Sequence, residues 1–341
     1  MDKKTSVIFC KRALAGFLSA MLVAGMSVKA LAQVDPLAEQ ITDHFIYSVA
    51  MGISDQNSFM SFSLNDIGNQ TLFAPAAAGL NSGDVCGTGA CVGNLHIKAF
   101  ANSDNLRDSD MLDDNAGVVA AFSTDRIYDA FDARYSVFGG YMISRMKYEA
   151  SIGTKDHHEN NIPFAGLSAE FYKGHFFGGF VLNGAYAHTK TMFEGADDRS
   201  SDSWMGGAGV KAGYNMNLFS HFALQPFGKA SYTYFKMENQ ETPAGEIDFH
   251  AMHGVSFAPG MKGVLNLGKC WELAGFGNYV WDYMTYNDVK ADSTADEMLN
   301  YVEYGLGLQK KWSSVILSAN GKRREGKRYG WYADLNLEVR F

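Results

Sequence analysis

The stretch from Tyr329 to Phe341 alternates without a break. Tyr329, Trp331, Ala333, Leu335, Leu337, Val339 and Phe341 are apolar, and Tyr332, Asp334, Asn336, Glu338 and Arg340 fall between them. In an extended chain successive side chains point to opposite faces, so this segment is a strand with one wholly apolar and one mostly charged face. Such a strand needs a hydrocarbon medium on one side and polar partners on the other. A soluble sandwich would bury the apolar face against a second sheet, with no reason to carry Trp and Tyr at both ends of it.

The same period recurs upstream in runs of about ten residues, the length at which a tilted strand crosses a bilayer. About twelve runs can be marked: 94–101, 116–124, 134–149, 162–173, 174–189, 203–216, 220–236, 247–264, 269–284, 300–310, 313–322 and 329–341. In the seventh, Phe222, Leu224, Pro226, Tyr232 and Tyr234 oppose Gln225, Lys229, Ser231 and Thr233. In the ninth, Trp271, Leu273, Tyr279, Trp281 and Tyr283 oppose Glu272, Asn278 and Asp282. The sixth sets Trp204, Val210 and Tyr214 against Lys211 and Asn215, whereas the fifth breaks the rule by placing Phe177 and Val181 on its polar face. Long polar gaps follow every second run, and most of the other gaps are tight turns, as in a barrel with external loops and short periplasmic turns. The expected fold is all-β: a transmembrane antiparallel up-and-down β-barrel of about twelve strands, or ten if the first two runs belonged to the preceding segment. An even count closes such a barrel without an edge.

The N-terminus agrees. Lys3, Lys4, Lys11 and Arg12 precede an uncharged run from Ala13 to Val28, and Ala30-Leu31-Ala32 supplies a small-residue cleavage pattern. Residues 1–32 read as a signal peptide removed between Ala32 and Gln33. Cys10 lies within it, and no Cys follows the apolar run to accept a lipid. Beyond it no apolar run reaches about 18 residues, which excludes helical spans and leaves strands as the only way through a membrane. Aromatic residues at 13%, with 36 Gly and only 6 Pro, suit many twisted strands with lipid-facing rings. A formal net charge of -8 offers no basic surface for nucleic acid.

Residues 33–93 differ from the rest. Leu37, Ile41, Phe45 and Val49 recur every four residues with acids between them, a short amphipathic helix by period. The remainder has no sustained period, and the whole is too short for a confident core of its own. It reads as a plug, a linker or a miniature passenger ahead of a barrel over 94–341. Cys86 and Cys91 lie in the Gly-rich run DVCGTGACVG, where a small-loop disulfide is expected after export to an oxidising compartment; Cys270 reads as an unpaired thiol on a strand.

Taken in order, these motifs resemble a known family, the autotransporter β-domain of type V secretion. The resemblance covers about Asn94 to Phe341. It rests on GGAGVKAGYNMNL followed by HFALQPFGKASYTYF, then VEYGLGLQKKW, SVILSANGKRR and YADLNLEVRF in terminal order. It implies a twelve-stranded translocator in the outer membrane of a Gram-negative bacterium. Leu335, Leu337, Val339 and the terminal Phe341 resemble the signal read by the barrel-assembly machinery, with periplasmic chaperones and outer-membrane lipid as the other partners. The family's long passenger has no counterpart here beyond residues 33–93.

Parity assigns Lys211, Lys229, Glu272, Asn278, Asp282, Glu303, Asp334, Asn336, Glu338 and Arg340 to the lumen. Three functional classes follow: a translocator or display barrel for the short N-terminal segment, a porin-like channel with a mixed-charge lumen, or an adhesive or structural barrel acting through its loops. No cofactor, metal or catalytic residue is assigned. His250 and His253 point to opposite faces; His157-His158, the acids Asp104, Asp108, Asp110, Asp113 and Asp114, and KRREGKR (322–328) read as solvated external loops. Ser144, Ser168, Ser231 and Ser318 have no His at a spacing that marks a base. The chain reads as a non-enzymatic monomer.

Overall fold

The computed structural model describes residues 93–341 apart from 108–110, 129, 150–154, 193–198, 239, 243–244, 248–250 and 289–292. The cleavage residues Ala30, Ala32 and Gln33, the Leu37 to Val49 helix, Cys86, Cys91, Asp108, Asp110 and His250 therefore lie outside the described residues.

The elements are β1 (Gly93–Leu106), β2 (Met111–Ile127), β3 (Asp132–Glu149), β4 (Lys155–Lys173), β5 (Phe176–Met192), β6 (Arg199–Tyr214), β7 (Met216–Phe219), β8 (Phe222–Met237), β9 (Gln240–Thr242), β10 (Gly245–Ile247), β11 (Met252–Gly268), β12 (Trp271–Asp288), β13 (Ser293–Met298), β14 (Tyr301–Lys311), β15 (Val315–Gly326) and β16 (Arg328–Arg340). Twelve of them form one closed antiparallel wall in the order β1 to β6, β8, β11, β12, β14, β15 and β16. β7 and β13 pair onto the edges of β8 and β12, and β9 with β10 makes a separate small hairpin. The wall closes where β1 pairs with β16, from Asn94 opposite Arg340 to Leu106 opposite Arg328. At the rim, Gly93 and Phe341 exchange both backbone hydrogen bonds at 3.0 Å. Every wall strand thus has two neighbours, the condition for a sheet to sit in hydrocarbon without unpaired amide groups.

Alternation decides which side each residue takes. Val137, Val210, Leu306 and Leu335 are more than half exposed on the outside of the wall, while Asp104, Asp113, Ser144 and Glu338 are fully buried within it. Aromatic side chains band the outer surface at two levels. Phe341 with Phe122, Phe176 with Tyr214, Trp271 and Trp312 lie near the rim that holds the two ends of the barrel. Tyr186 with Trp204, Phe257 with Trp281, Tyr304 and Trp331 lie further along the strands. On β16, Trp331 and Phe341 are about ten residues apart. At about 3.3 Å per residue and a tilt of about 40°, this gives a band of about 25 Å, the height of a hydrocarbon core crossed by a barrel.

Several strands extend further than their alternating cores suggest. The stretch with Asp104, Asp113 and Asp114 is part of β1 and β2 rather than a loop, and His157-His158 begins β4, with His158 buried. The KRREGKR stretch is likewise no external loop. It ends β15 and starts β16 with only Lys327 between them, and Arg324 and Arg328 are buried. In each case composition pointed to solvent, but strands that project beyond the membrane band keep polar side chains on both faces. Cys270 also departs from the expected strand position. It sits in the two-residue turn between β11 and β12, not on a strand, and it is disulfide-bonded.

The anomaly of the fifth run has a packing cause. Phe177 and Val181 face inward, and Phe177 lies directly beside Gly213, its neighbour in the register of β5 with β6. A Cβ at residue 213 would run into the Phe177 ring, with the Pro226 carbonyl oxygen at 2.7 Å. The same arrangement recurs between Phe276 on β12 and Gly305 on β14. Gly213→Ala is expected to destabilise the barrel by about 1–3 kcal/mol through overpacking. Because Phe177 and Gly213 share one space, the cost of Gly213→Ala should fall markedly in a Phe177→Ala background, a coupling that a denaturant-unfolding double-mutant cycle measures.

Candidate functional site

The candidate site is the inner surface of the wall, whose side chains are sorted by parity and then joined by charge. Its strongest cluster lies toward the ends of β14, β15, β16 and β1 away from the Gly93–Phe341 rim. Arg324 donates from Nη1 to Asp104 Oδ2 at 2.6 Å and from Nε to Glu303 Oε2 at 3.2 Å. Arg328 donates from Nη2 to the same Asp104 oxygen at 2.9 Å, and Asn102 adds a further bond at 2.9 Å. Lys322 lies 3.5 Å from Glu303. Both guanidinium groups sit 5.8 Å from the centroid of the buried Tyr301 ring.

Register explains how one side chain links carboxylates across a span of four strands. Asp104 is opposite Gly330, Gly330 is opposite Arg324, and Arg324 is opposite Glu303. Residue 330 has no side chain, so the guanidinium passes over β16 to reach Asp104 on β1; a Cβ there would press on the Ser103 backbone and on Asp104 itself. A planar fork with several donors suits this position, where two carboxylates approach from different directions.

Further groups line the same surface nearer the rim. Lys98 pairs with Asp334 at 3.7 Å, and Asn320 donates to the other oxygen of Asp334 at 2.9 Å. Arg134 grips Asp125 with two bonds of 2.7 and 3.0 Å. Lys311 meets Glu272 at 2.5 Å, and Arg340 Nε donates to Glu338 at 2.7 Å. Asp113 accepts from Asn115 at 2.6 Å and from Ser144 at 2.8 Å. All these pairs join the same strand or strands at most two places apart, so among the described residues these charges meet along the wall.

Of the residues assigned to the lumen by parity, Glu272, Asn278, Asp282, Glu303, Asp334, Asn336 and Glu338 are buried in this surface. Lys211 and Lys229 stand opposite one another on β6 and β8, and both ammonium groups lie over the Phe227 ring, at 5.3 and 5.2 Å. Arg340 is tied to Glu338 on the same face. Asp104, Asp113, Arg324, Arg328 and Lys322 were missed as interior groups. The available signal was parity carried past the apolar core: Arg324 and Lys322 share it within β15, as do Asp104 and Asn102 within β1.

Sequence spacing also hid one nucleophile-like grouping. Ser123 Oγ lies 3.0 Å from His96 Nε2, and His96 Nδ1 lies 3.7 Å from Glu338 Oε2. The His–Glu separation exceeds hydrogen-bond length, and Ser123 is fully buried, so the group is part of the packed wall rather than a surface offered to a substrate. His253, by contrast, is on the outer face, bonded to the Tyr232 hydroxyl at 2.6 Å. Among the described residues, no group of three or more His, Cys, Asp or Glu is placed to hold a metal ion.

Arg324→Ala would leave Asp104 to Arg328 and Glu303 to Lys322 alone, and a loss of about 1.5–3 kcal/mol is expected. Arg324→Lys should recover only part of it, since a point charge cannot serve both carboxylates. Denaturant titration of the two variants in detergent micelles checks the order.

No family model matches the sequence, and no curated protein matches it. Among solved structures the chain is similar to the β-domain of the Bordetella autotransporter BrkA, with a TM-score of 0.61 at 12% identity over 73% of this chain and 100% of that one. It is similar to the transport unit of the autotransporter AIDA-I from Escherichia coli, with a TM-score of 0.61 at 13% identity over 80% and 99%. The translocator domain of the autotransporter NalP from Neisseria meningitidis gives 0.60 at 10% identity over 84% and 99%. Identities this low speak to architecture alone, and the described barrel has the fold of the autotransporter β-domain.

Proposed function

We propose that this chain is an outer-membrane barrel that anchors or exports its own short N-terminal segment, residues 33–92, after removal of a signal peptide at Ala32-Gln33. The observation that carries the reading is the closed twelve-strand wall, apolar outside and charged inside, which the chain enters at Gly93 on the rim where the barrel also ends. A strand that starts there receives the preceding segment directly at one mouth of the barrel. The likeness to autotransporter β-domains supports the same role. If residues 33–92 occupy the interior, deleting them should raise single-channel conductance in planar bilayers well above that of the intact protein. An unchanged current would count heavily against the reading.

A second reading, a stand-alone channel, is favoured by the mixed charge of the interior side chains, which pair along the wall. It requires the opposite result in the same experiment: the intact protein already conducts steadily.

Insertion would depend on the last strand, with Leu335, Leu337, Val339 and Phe341 read by the barrel-assembly machinery through edge pairing. Phe341 is 64% exposed, so its ring contributes little to packing, while its backbone closes the rim. Phe341→Ala keeps those backbone bonds. It should lower the amount of folded barrel in outer membranes several-fold yet leave refolding into detergent micelles unchanged; equal losses in both assays would assign the ring a structural role instead.

A further inference from the structure

The inner faces of β2 to β6 and β8 share one row of directly opposed residues. Asp125 stands opposite Arg134, Arg134 opposite Glu170, Glu170 opposite Gly179, Gly179 opposite Lys211, and Lys211 opposite Lys229. Charge alternates along the row as far as Glu170, with Arg134 gripping Asp125 at 2.7 and 3.0 Å. At its end the alternation fails. Two ammonium side chains are set side by side on neighbouring strands, where like charges directly opposite cost stability.

A third lysine joins them. Lys262 lies on β11, the next strand of the wall, and Lys229 and Lys262 both repel Lys211, while Lys229 also repels Lys262. The carboxylates that offset part of this charge also serve other groups. Glu170 acts on Lys211 but accepts from the Tyr172 hydroxyl at 2.6 Å and faces Arg134. Glu272 acts on Lys262 but meets Lys311 at 2.5 Å. Lys98 and Lys311, each paired with a carboxylate, are buried, whereas Lys211, Lys229 and Lys262 are only half-buried on the inner face and keep part of their surface open.

The floor beneath these lysines is built from two rings seated on glycines. Phe177 lies over residue 213 and Phe227 over residue 260, where an added Cβ would come within 2.6 Å of the Phe227 ring. Lys211 Nζ lies 5.1 Å from the Phe177 centroid and 5.3 Å from that of Phe227, and Lys229 Nζ lies 5.2 Å from the latter. A ring face attracts a cation through its quadrupole and leaves the charge in place. The rings therefore hold the two ammonium groups close together without cancelling them. Gly179 opposite Lys211 and Ala258 opposite Lys229 leave both flanks of the pair without long side chains.

We infer that Lys211, Lys229 and Lys262 form a binding site for a multivalent phosphate-type oxyanion on the inner wall. An ammonium group brings three donors and no acceptor, so three of them converge best on an ion with several acceptor oxygens and more than one negative charge. A halide or a single carboxylate supplies too little of either. The three side chains spring from consecutive wall strands about 4.8 Å apart, so one bound anion replaces their mutual repulsion with shared attraction. A lipid phosphate is excluded as the source, because the lysines face the interior and acyl chains belong on the apolar outer surface. The inference uses wall residues alone and is independent of whether the barrel exports or conducts.

Titration calorimetry of the full-length protein in detergent micelles with inorganic pyrophosphate tests this. Saturable binding is expected, with inorganic phosphate weaker and chloride at equal ionic strength without effect of its own. Lys211→Gln and Lys229→Gln should each weaken binding by about tenfold or more, the loss of one charge-assisted bond. Lys229→Arg, which keeps the charge, should retain most of it, and Lys236→Gln, on the exposed outer face of β8, should change nothing. In denaturant titrations pyrophosphate should raise the wild-type midpoint and leave that of the Lys211→Gln, Lys229→Gln double variant where it was, since only an ion held by the folded wall stabilises it. If Lys211→Gln fails to fold, Lys262→Gln carries the same expectation. No saturable binding, or an equal loss in Lys236→Gln, would overturn the proposal. Binding that appears only after residues 33–92 are removed would assign the lysines to that segment, which has Asp and Glu but no Lys or Arg, and would overturn the small-anion site as well.

Discussion

The structure depends first on the seam between β1 and β16. A sheet surrounded by hydrocarbon has no water to satisfy an edge, and each unpaired amide there costs several kcal/mol. Joining the first strand to the last removes both edges in one step, with the register running unbroken from Asn94–Arg340 to Leu106–Arg328. That register then fixes everything inside. It sets Asp104 and Arg324 on either side of Gly330, and a slip of one residue would turn each of these side chains to the outer face of the wall. The ionic cluster at the seam therefore does more than neutralise charge: its partners meet only in the correct register.

Two physical solutions fill the interior. One is the charged network on the side from β12 round to β3, where carboxylates, guanidinium groups and ammonium groups pair along the wall. The other is the seating of a ring against a strand that lacks a side chain, as with Phe177 beside Gly213 and Phe276 beside Gly305. The first supplies direction and register; the second lets neighbouring strands approach while apolar area is removed from water.

The exterior was legible in the sequence because hydrocarbon imposes a strict rule on every lipid-facing residue. Trp331, Leu335 and Phe341, or Tyr279, Trp281 and Tyr283, can be read two by two, and the twelve runs correspond to the twelve wall strands. The interior obeys no such rule. Polar groups are acceptable there and also in loops, so composition could not separate Asp104 and Asp113 from solvent-exposed acids, or Arg324 and Arg328 from a basic loop. What separates them is a partner brought close by closure from more than two hundred residues away, as Arg324 is to Asp104. Phe177 was out of place by parity for a related reason: the glycine that accepts its ring is on the next strand.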